Sequence, residues 1–142
     1  MSKRHLVGII LWLGVFISHN SSAEILVVVH ASNPTNQLSR EQVIDIYMGR
    51  NVHFPDGRTA APVDLAANSL IRETYYGMLI NKTVAQVNAF WSRLLFSGRA
   101  TPPKVLPDTQ SVIHFVSQNK NAIAYIDSES WNDSGKVVFR LP

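Results

Sequence analysis

Hydrophobic positions along the chain fall into short blocks whose periodicity switches between that of strands and that of helices. Residues 24–30 (EILVVVH) form a run of strand-forming side chains, the pattern of a buried strand. Asn33-Pro34 signals a turn within a loop over 31–37, because proline drives the residue before it toward extended geometry. Ser39-Arg40-Glu41-Gln42 reads as a capping box, with Val43, Ile44, Tyr47 and Met48 on one helical face and Gly49 as the left-handed stop. Pro55-Asp56-Gly57 marks a tight turn, and residues 61–65 (APVDL) a short strand.

The second half repeats this alternation. Asn68 or Ser69 caps a second helix, expected to carry Leu70, Ile71, Thr74, Tyr75, Met78 and Leu79 on or near its buried side. Thr83-Val84-Ala85-Gln86 is a second capping box, opening a helix with Val84, Val87, Phe90, Trp91, Leu94 and Leu95 at three- to four-residue spacing before Gly98. Pro102-Pro103 leads to an extended piece at 104–106. Asp108 or Thr109 starts a fourth helix with Val112, Ile113, Phe115 and Val116 facing inward. Residues 122–126 (AIAYI) and 136–141 (KVVFRL) complete the strands. Strands alternating with helices predict an α/β fold with a mostly parallel central sheet and helices on both faces. No repeat, linker or low-complexity tract divides residues 24–142, so they read as one domain.

The N-terminus changes how composition is read. Lys3, Arg4 and His5 precede twelve uncharged residues, 6–17, and Ser21-Ser22-Ala23 supplies small side chains at the positions a signal peptidase requires. The apolar run is shorter than the ~20 residues of a membrane-spanning helix. Residues 1–23 are therefore expected to be a cleaved signal peptide and the mature chain, from Glu24, to be periplasmic. Cleavage would remove two of thirteen basic residues, leaving eleven against ten acidic ones. No Lys/Arg cluster remains, so the counterion release that drives nucleic-acid binding is small and nucleic acid is not an expected partner. The absence of cysteine from the sequence excludes disulfides, a thiol nucleophile and cysteine-ligated metal.

Five segments in order, Asn33-Pro34, residues 38–49, Phe54, Ser69 with Arg72-Glu73-Thr74-Tyr75, and Ala122-Ile123-Ala124-Tyr125-Ile126, resemble periplasmic solute-binding proteins of the phosphate-binding type. The resemblance covers nearly all of the mature chain. It implies a single periplasmic-binding-protein-like lobe, where family members have two lobes that close on their ligand. The family's anion contacts in this lobe follow an Arg-x-Asp-x-Ser-Gly-Thr pattern at a helix start, where hydroxyls and unpaired backbone N–H groups hold phosphate. Aligned on Ser69, those positions carry Leu65, Ala67, Leu70 and Ile71, so only the serine is retained.

The candidate ligand-binding residues are therefore Asn68, Ser69, Leu70, Ile71 and Arg72. Read from the residues alone, Ser69 or Asn68 is first a helix cap. Arg72 either stands beside a bound oxyanion or forms a salt bridge to Glu73, Asp64 or Glu41. His30, His53 and His114 share no ligand spacing, no catalytic motif occurs, and neither metal, cofactor nor enzymatic activity is expected. Asp56, Asp64 and Asp127 read as turn and strand-end carboxylates, and Phe90, Trp91 and Phe96 as core. Two functions follow. One is weak capture of an oxyanion such as phosphate, in relation to the substrate-binding proteins of phosphate ABC transporters, with a membrane transporter as partner. The other is a non-transport periplasmic interaction module, retaining one lobe, that docks another protein or itself.

Overall fold

The computed structural model describes residues 24–142, and the expected signal peptide at 1–23 lies outside them. In chain order the elements are β1 (Ile25–His30), α1 (Arg40–Tyr47), β2 (Ala61–Leu65), α2 (Leu70–Ile80), α3 (Val84–Ser97), β3 (Lys104–Leu106), α4 (Thr109–Gln118), β4 (Ala122–Asp127) and β5 (Gly135–Leu141). Both capping boxes form as the sequence predicts. Ser39 and Thr83 accept from the backbones of Gln42 and Gln86, whose side chains accept in return from the cap N–H groups.

The five strands lie in the order β3-β2-β4-β1-β5. β2 runs parallel to β3 and β4, whereas β1 is antiparallel to both β4 and β5. Four strands thus share one direction and β1 alone opposes them, a detail hydrophobic periodicity does not encode. Interior strands β1 and β4 are buried along nearly their whole length, as their unbroken apolar runs require, while the edges β3 and β5 are partly open. Pro62 fits β2 because pairing with β3 begins only at Val63, leaving the proline at a local edge.

The path from β2 to β3 moves one way across the sheet, and the path from β3 to β4 moves back. Both crossovers join strands of the same direction, and the right-handed rule for such connections then puts α2 and α3 on one face and α4 on the other. Tyr47, Tyr75, Tyr76 and Tyr125, all four tyrosines of the chain, are buried together on the α1/α2 side. α3 packs on α2, and its Trp91 reaches the turn at Gly49.

Two helix faces differ from the expected ones. α2 buries Arg72, Tyr75, Tyr76 and Leu79, while Leu70 and Thr74 face solvent, Leu70 being 78% exposed. The buried set follows the three- and four-residue spacing of a helical stripe; an arginine within it disguises the face. In α3, Trp91 is buried but Leu95 is 53% and Phe96 98% exposed, so Phe96 is not core. Five residues beyond Trp91, Phe96 is turned ~140° round the helix axis and away from the body.

Candidate functional site

The chain leaves the carboxyl end of β2 and turns through residues 66–69 into α2, with the Ser69 N–H donating to the Ala66 carbonyl at 2.9 Å. Ser69 holds extended geometry, and its Oγ accepts from the Arg72 N–H at 3.3 Å. Ser69 is thus the cap, and Asn68 is exposed before it. The N–H groups of Leu70 and Ile71 have no protein acceptor among the described residues, as expected in the first turn of a helix. They and the positive end of the α2 dipole can receive an anion. The location suits that role, since ligands of open α/β sheets gather at the carboxyl ends of parallel strands.

Arg72 takes a different direction. Its side chain is buried, and Nε donates to Asp64 Oδ1 at 3.1 Å while Nη2 donates to Asn88 Oδ1 at 2.9 Å. Its third nitrogen, Nη1, is buried without a partner among the described residues. The guanidinium also lies over the Tyr76 ring, 5.4 Å from the centroid. Of the three acidic partners the sequence offers, Asp64 is the one Arg72 takes. Asn68, Ser69, Leu70 and Ile71 are therefore together at the helix start, and Arg72 shares their helix with its charge directed inward.

Asp64 is the residue whose weight periodicity does not convey. Its Oδ1 accepts from Arg72, from the Leu65 N–H at 2.9 Å and from the Tyr125 hydroxyl, and its Oδ2 accepts from the Tyr76 hydroxyl at 2.8 Å. Burying a carboxylate is costly unless its lone pairs are filled and a counter-charge is present; both conditions are met. The Tyr47 hydroxyl is shared between the carbonyls of Val63 and Ile123, at 2.9 and 3.1 Å, tying α1 to β2 and β4. Tyr75 stacks on Tyr125 with centroids 3.8 Å apart. Burial raises the pKa of all four tyrosines, and the Asp64 charge raises them further. A strand-end Asp followed by Arg at +8 and Tyr at +12 is the one sequence signal that could have marked the cluster.

The remaining candidates have local roles. His30 Nδ1 accepts from the Ser32 N–H at 3.0 Å, the arrangement of a loop histidine. Asp56 binds Arg58, and its pKa is lowered chiefly by the hydrogen bond from the Arg58 backbone. Asp127 accepts from Ser130. No group of three metal-ligating side chains occurs among the described residues, and no helix among them is long and apolar enough to cross a membrane.

A sheet of this order, with a capped helix start at the carboxyl end of β2, is the architecture of one lobe of a periplasmic-binding-protein fold. Solved structures of that fold match it. A protein from Clostridium perfringens, assigned as a phosphate ABC transporter substrate-binding protein and solved with bound phosphate, superposes with a TM-score of 0.64 at 22% identity, over 82% of this chain and 45% of its own. An ABC-type phosphate transport receptor from Vibrio cholerae gives 0.64 at 21% identity, over 82% and 46%. PstS from Borrelia burgdorferi gives 0.63 at 13% identity, over 82% and 47%. The chain thus spans about half the length of the solved structures it matches, and at these identities the likeness is one of fold. No family model matches the chain, and no curated protein matches it.

Proposed function

We propose that this chain is an exported, periplasmic binding protein rather than an enzyme, and that it takes a small oxyanion of the phosphate type weakly at the start of α2. The observation that carries the reading is the pair of free N–H groups at Leu70 and Ile71, beside Ser69, at the carboxyl end of a parallel strand in a fold shared with phosphate-binding structures. Arg72 would contribute by fixing the first turn of α2 rather than by direct contact, since Asp64 and Asn88 occupy two of its nitrogens. The Asp64–Arg72 pair leaves little net charge to attract an anion, and a single open lobe buries less of a ligand than the 70–90% usual for a closed site. Affinity should therefore be millimolar or weaker. Calorimetric titration of the exported protein with phosphate and sulfate tests this, with submicromolar phosphate affinity as the contrary result.

A second reading is a non-transport periplasmic interaction module retaining one lobe, which docks another protein or a second copy of itself. Leu70 beside the helix start and Phe96 on α3 are 78% and 98% exposed, and in such a module they would be covered by the partner. Phosphate-independent association that Leu70→Asp or Phe96→Asp abolishes would favour this reading over the first.

A further inference from the structure

A groove of about 510 Å³ opens between α1, the end of α2 and α3. Its floor is apolar, built from Ile44, Met48, Ile80 and Phe90, which are half-buried and packed on the core. Its rim carries Arg50, Lys82 and Arg93, and no carboxylate lines it. Arg50 is held by Asp45 at 2.8 Å, whereas Lys82 and Arg93 have no ion-pair partner among the described residues. The groove's floor lies away from the start of α2, since Ile80 is ten residues along the helix from Leu70, ~15 Å of axial rise, while Lys82 also lines the neighbouring cleft that reaches Leu70.

We propose that this groove is a binding site for a small anionic amphiphile, a carboxylate carried on a medium-length alkyl chain. The volume lies in the range of ~300–1,000 Å³ typical of small-molecule sites, and the lining follows their usual plan of a mainly apolar surface with a few charged groups. Each half of the ligand answers a feature of the groove. The alkyl chain covers Ile44, Met48, Ile80 and Phe90, with Met48 adapting to its shape. The carboxylate pairs with Lys82 or Arg93, whose long stems let the charged heads reach it while remaining near water. A neutral alcohol of equal length would forgo the ionic part, a cationic amphiphile would be repelled, and a compact anion such as phosphate would gain nothing from the floor.

The test is titration of the isotope-labelled exported protein with decanoate below its micelle concentration, followed by amide shifts. Shifts should map to Ile44, Met48, Ile80 and Phe90 and saturate. Affinity should rise with chain length from hexanoate to decanoate by up to about fourfold per methylene, and acetate should have no effect. Lys82→Glu combined with Arg93→Glu, both on exposed residues, should weaken decanoate at least tenfold while preserving the dispersion of the amide spectrum. Phe90→Ser should weaken decanoate without restoring any preference for acetate. Equal binding of decanol or decyltrimethylammonium, insensitivity to the charge reversals, shifts confined to other surfaces, or no binding of decanoate would each overturn the assignment. The phosphate response at Leu70 and Ile71 should be unchanged by Phe90→Ser, which lines only this groove and so separates it from the site at the start of α2.

Discussion

Asp64 on β2 and Arg72 in the first turn of α2 form a buried ion pair, Oδ1 to Nε 3.1 Å, with side chains only 3% and 6% exposed. It joins the sheet to the helix at the point where the candidate site opens. A cation this near a helix start opposes the dipole, and the carboxylate beside it offsets that cost. The pair therefore serves the geometry of the α2 start before it serves any ligand.

Removing both partners should cost less than the sum of removing each alone. Asp64→Ala leaves a buried guanidinium and two tyrosine hydroxyls without their acceptor, and should cost ~3–5 kcal/mol. In the Asp64→Ala/Arg72→Met double variant the two losses should fall well short of adding, because the second change removes the orphaned charge. Chemical denaturation of Asp64→Ala, Arg72→Met and the double variant measures this. A loss under about 1 kcal/mol for Asp64→Ala would mean the pair is not buried in solution.

The tyrosine cluster makes stability sensitive to alkali. Each tyrosine has a raised pKa in the folded protein, caused first by burial and then by neighbouring charge, that of Asp64 for Tyr47, Tyr76 and Tyr125 and that of the other tyrosines for Tyr75. The folded state thus retains protons that the unfolded chain releases above its ordinary tyrosine pKa, ~10. The stabilisation is complete below that pH and is lost as pH rises toward the raised folded values, by roughly 1.4 kcal/mol per pH unit for each tyrosine still protonated. Tyrosinate absorbance and far-ultraviolet dichroism should change together in one cooperative transition. Ionisation of the tyrosines well before loss of helix would show that they are solvent-accessible.

Gly77 and Gly49 should respond in opposite directions to alanine. Gly77 lies inside α2 with open space where a Cβ would project, so Gly77→Ala should stabilise by about 0.5–1 kcal/mol. Gly49 has φ +71°, and a Cβ there would meet the Trp91 ring at 2.8 Å, so Gly49→Ala should destabilise. Trp91→Ala, emptying the same contact, should cost ~3–5 kcal/mol. Thermal or urea denaturation ranks all three, and a neutral Trp91→Ala would mean that α3 is not docked.

Much of this architecture is legible in the residues. Ser39 with Gln42 and Thr83 with Gln86 locate two helix starts, because a capping box is local chemistry set by residues three apart. The direction of β1 is not legible, since an apolar run looks the same in a parallel or an antiparallel pairing. Nor is the inward turn of Arg72. Its acceptor Asp64 is eight residues away and Asn88 sixteen, and only the tertiary fold brings them together. Periodicity accordingly places Leu70 and Thr74 near the buried side of α2, where the structure puts Arg72 and Tyr76. At the candidate site Ser69 is recognisable as a cap from its residue type, while the commitment of Arg72 to a carboxylate requires the structure.

Export should leave a chain beginning at Glu24, given the basic start, the short apolar run and the Ser-Ser-Ala site. Intact mass of the protein recovered from the periplasm measures it directly. A mass that retains residues 1–23 would contradict cleavage.

Weak oxyanion binding at the start of α2 is tested most directly by phosphate titration of the isotope-labelled exported protein, read at the amides of Leu70 and Ile71. Those two amides should shift first and furthest. The dissociation constant should be roughly millimolar or weaker, equivalent to about 4 kcal/mol of binding free energy or less. Ser69→Ala should weaken the response further and lower stability by ~1 kcal/mol through loss of the cap. Submicromolar affinity, or a saturating response that bypasses Leu70 and Ile71, would contradict this account.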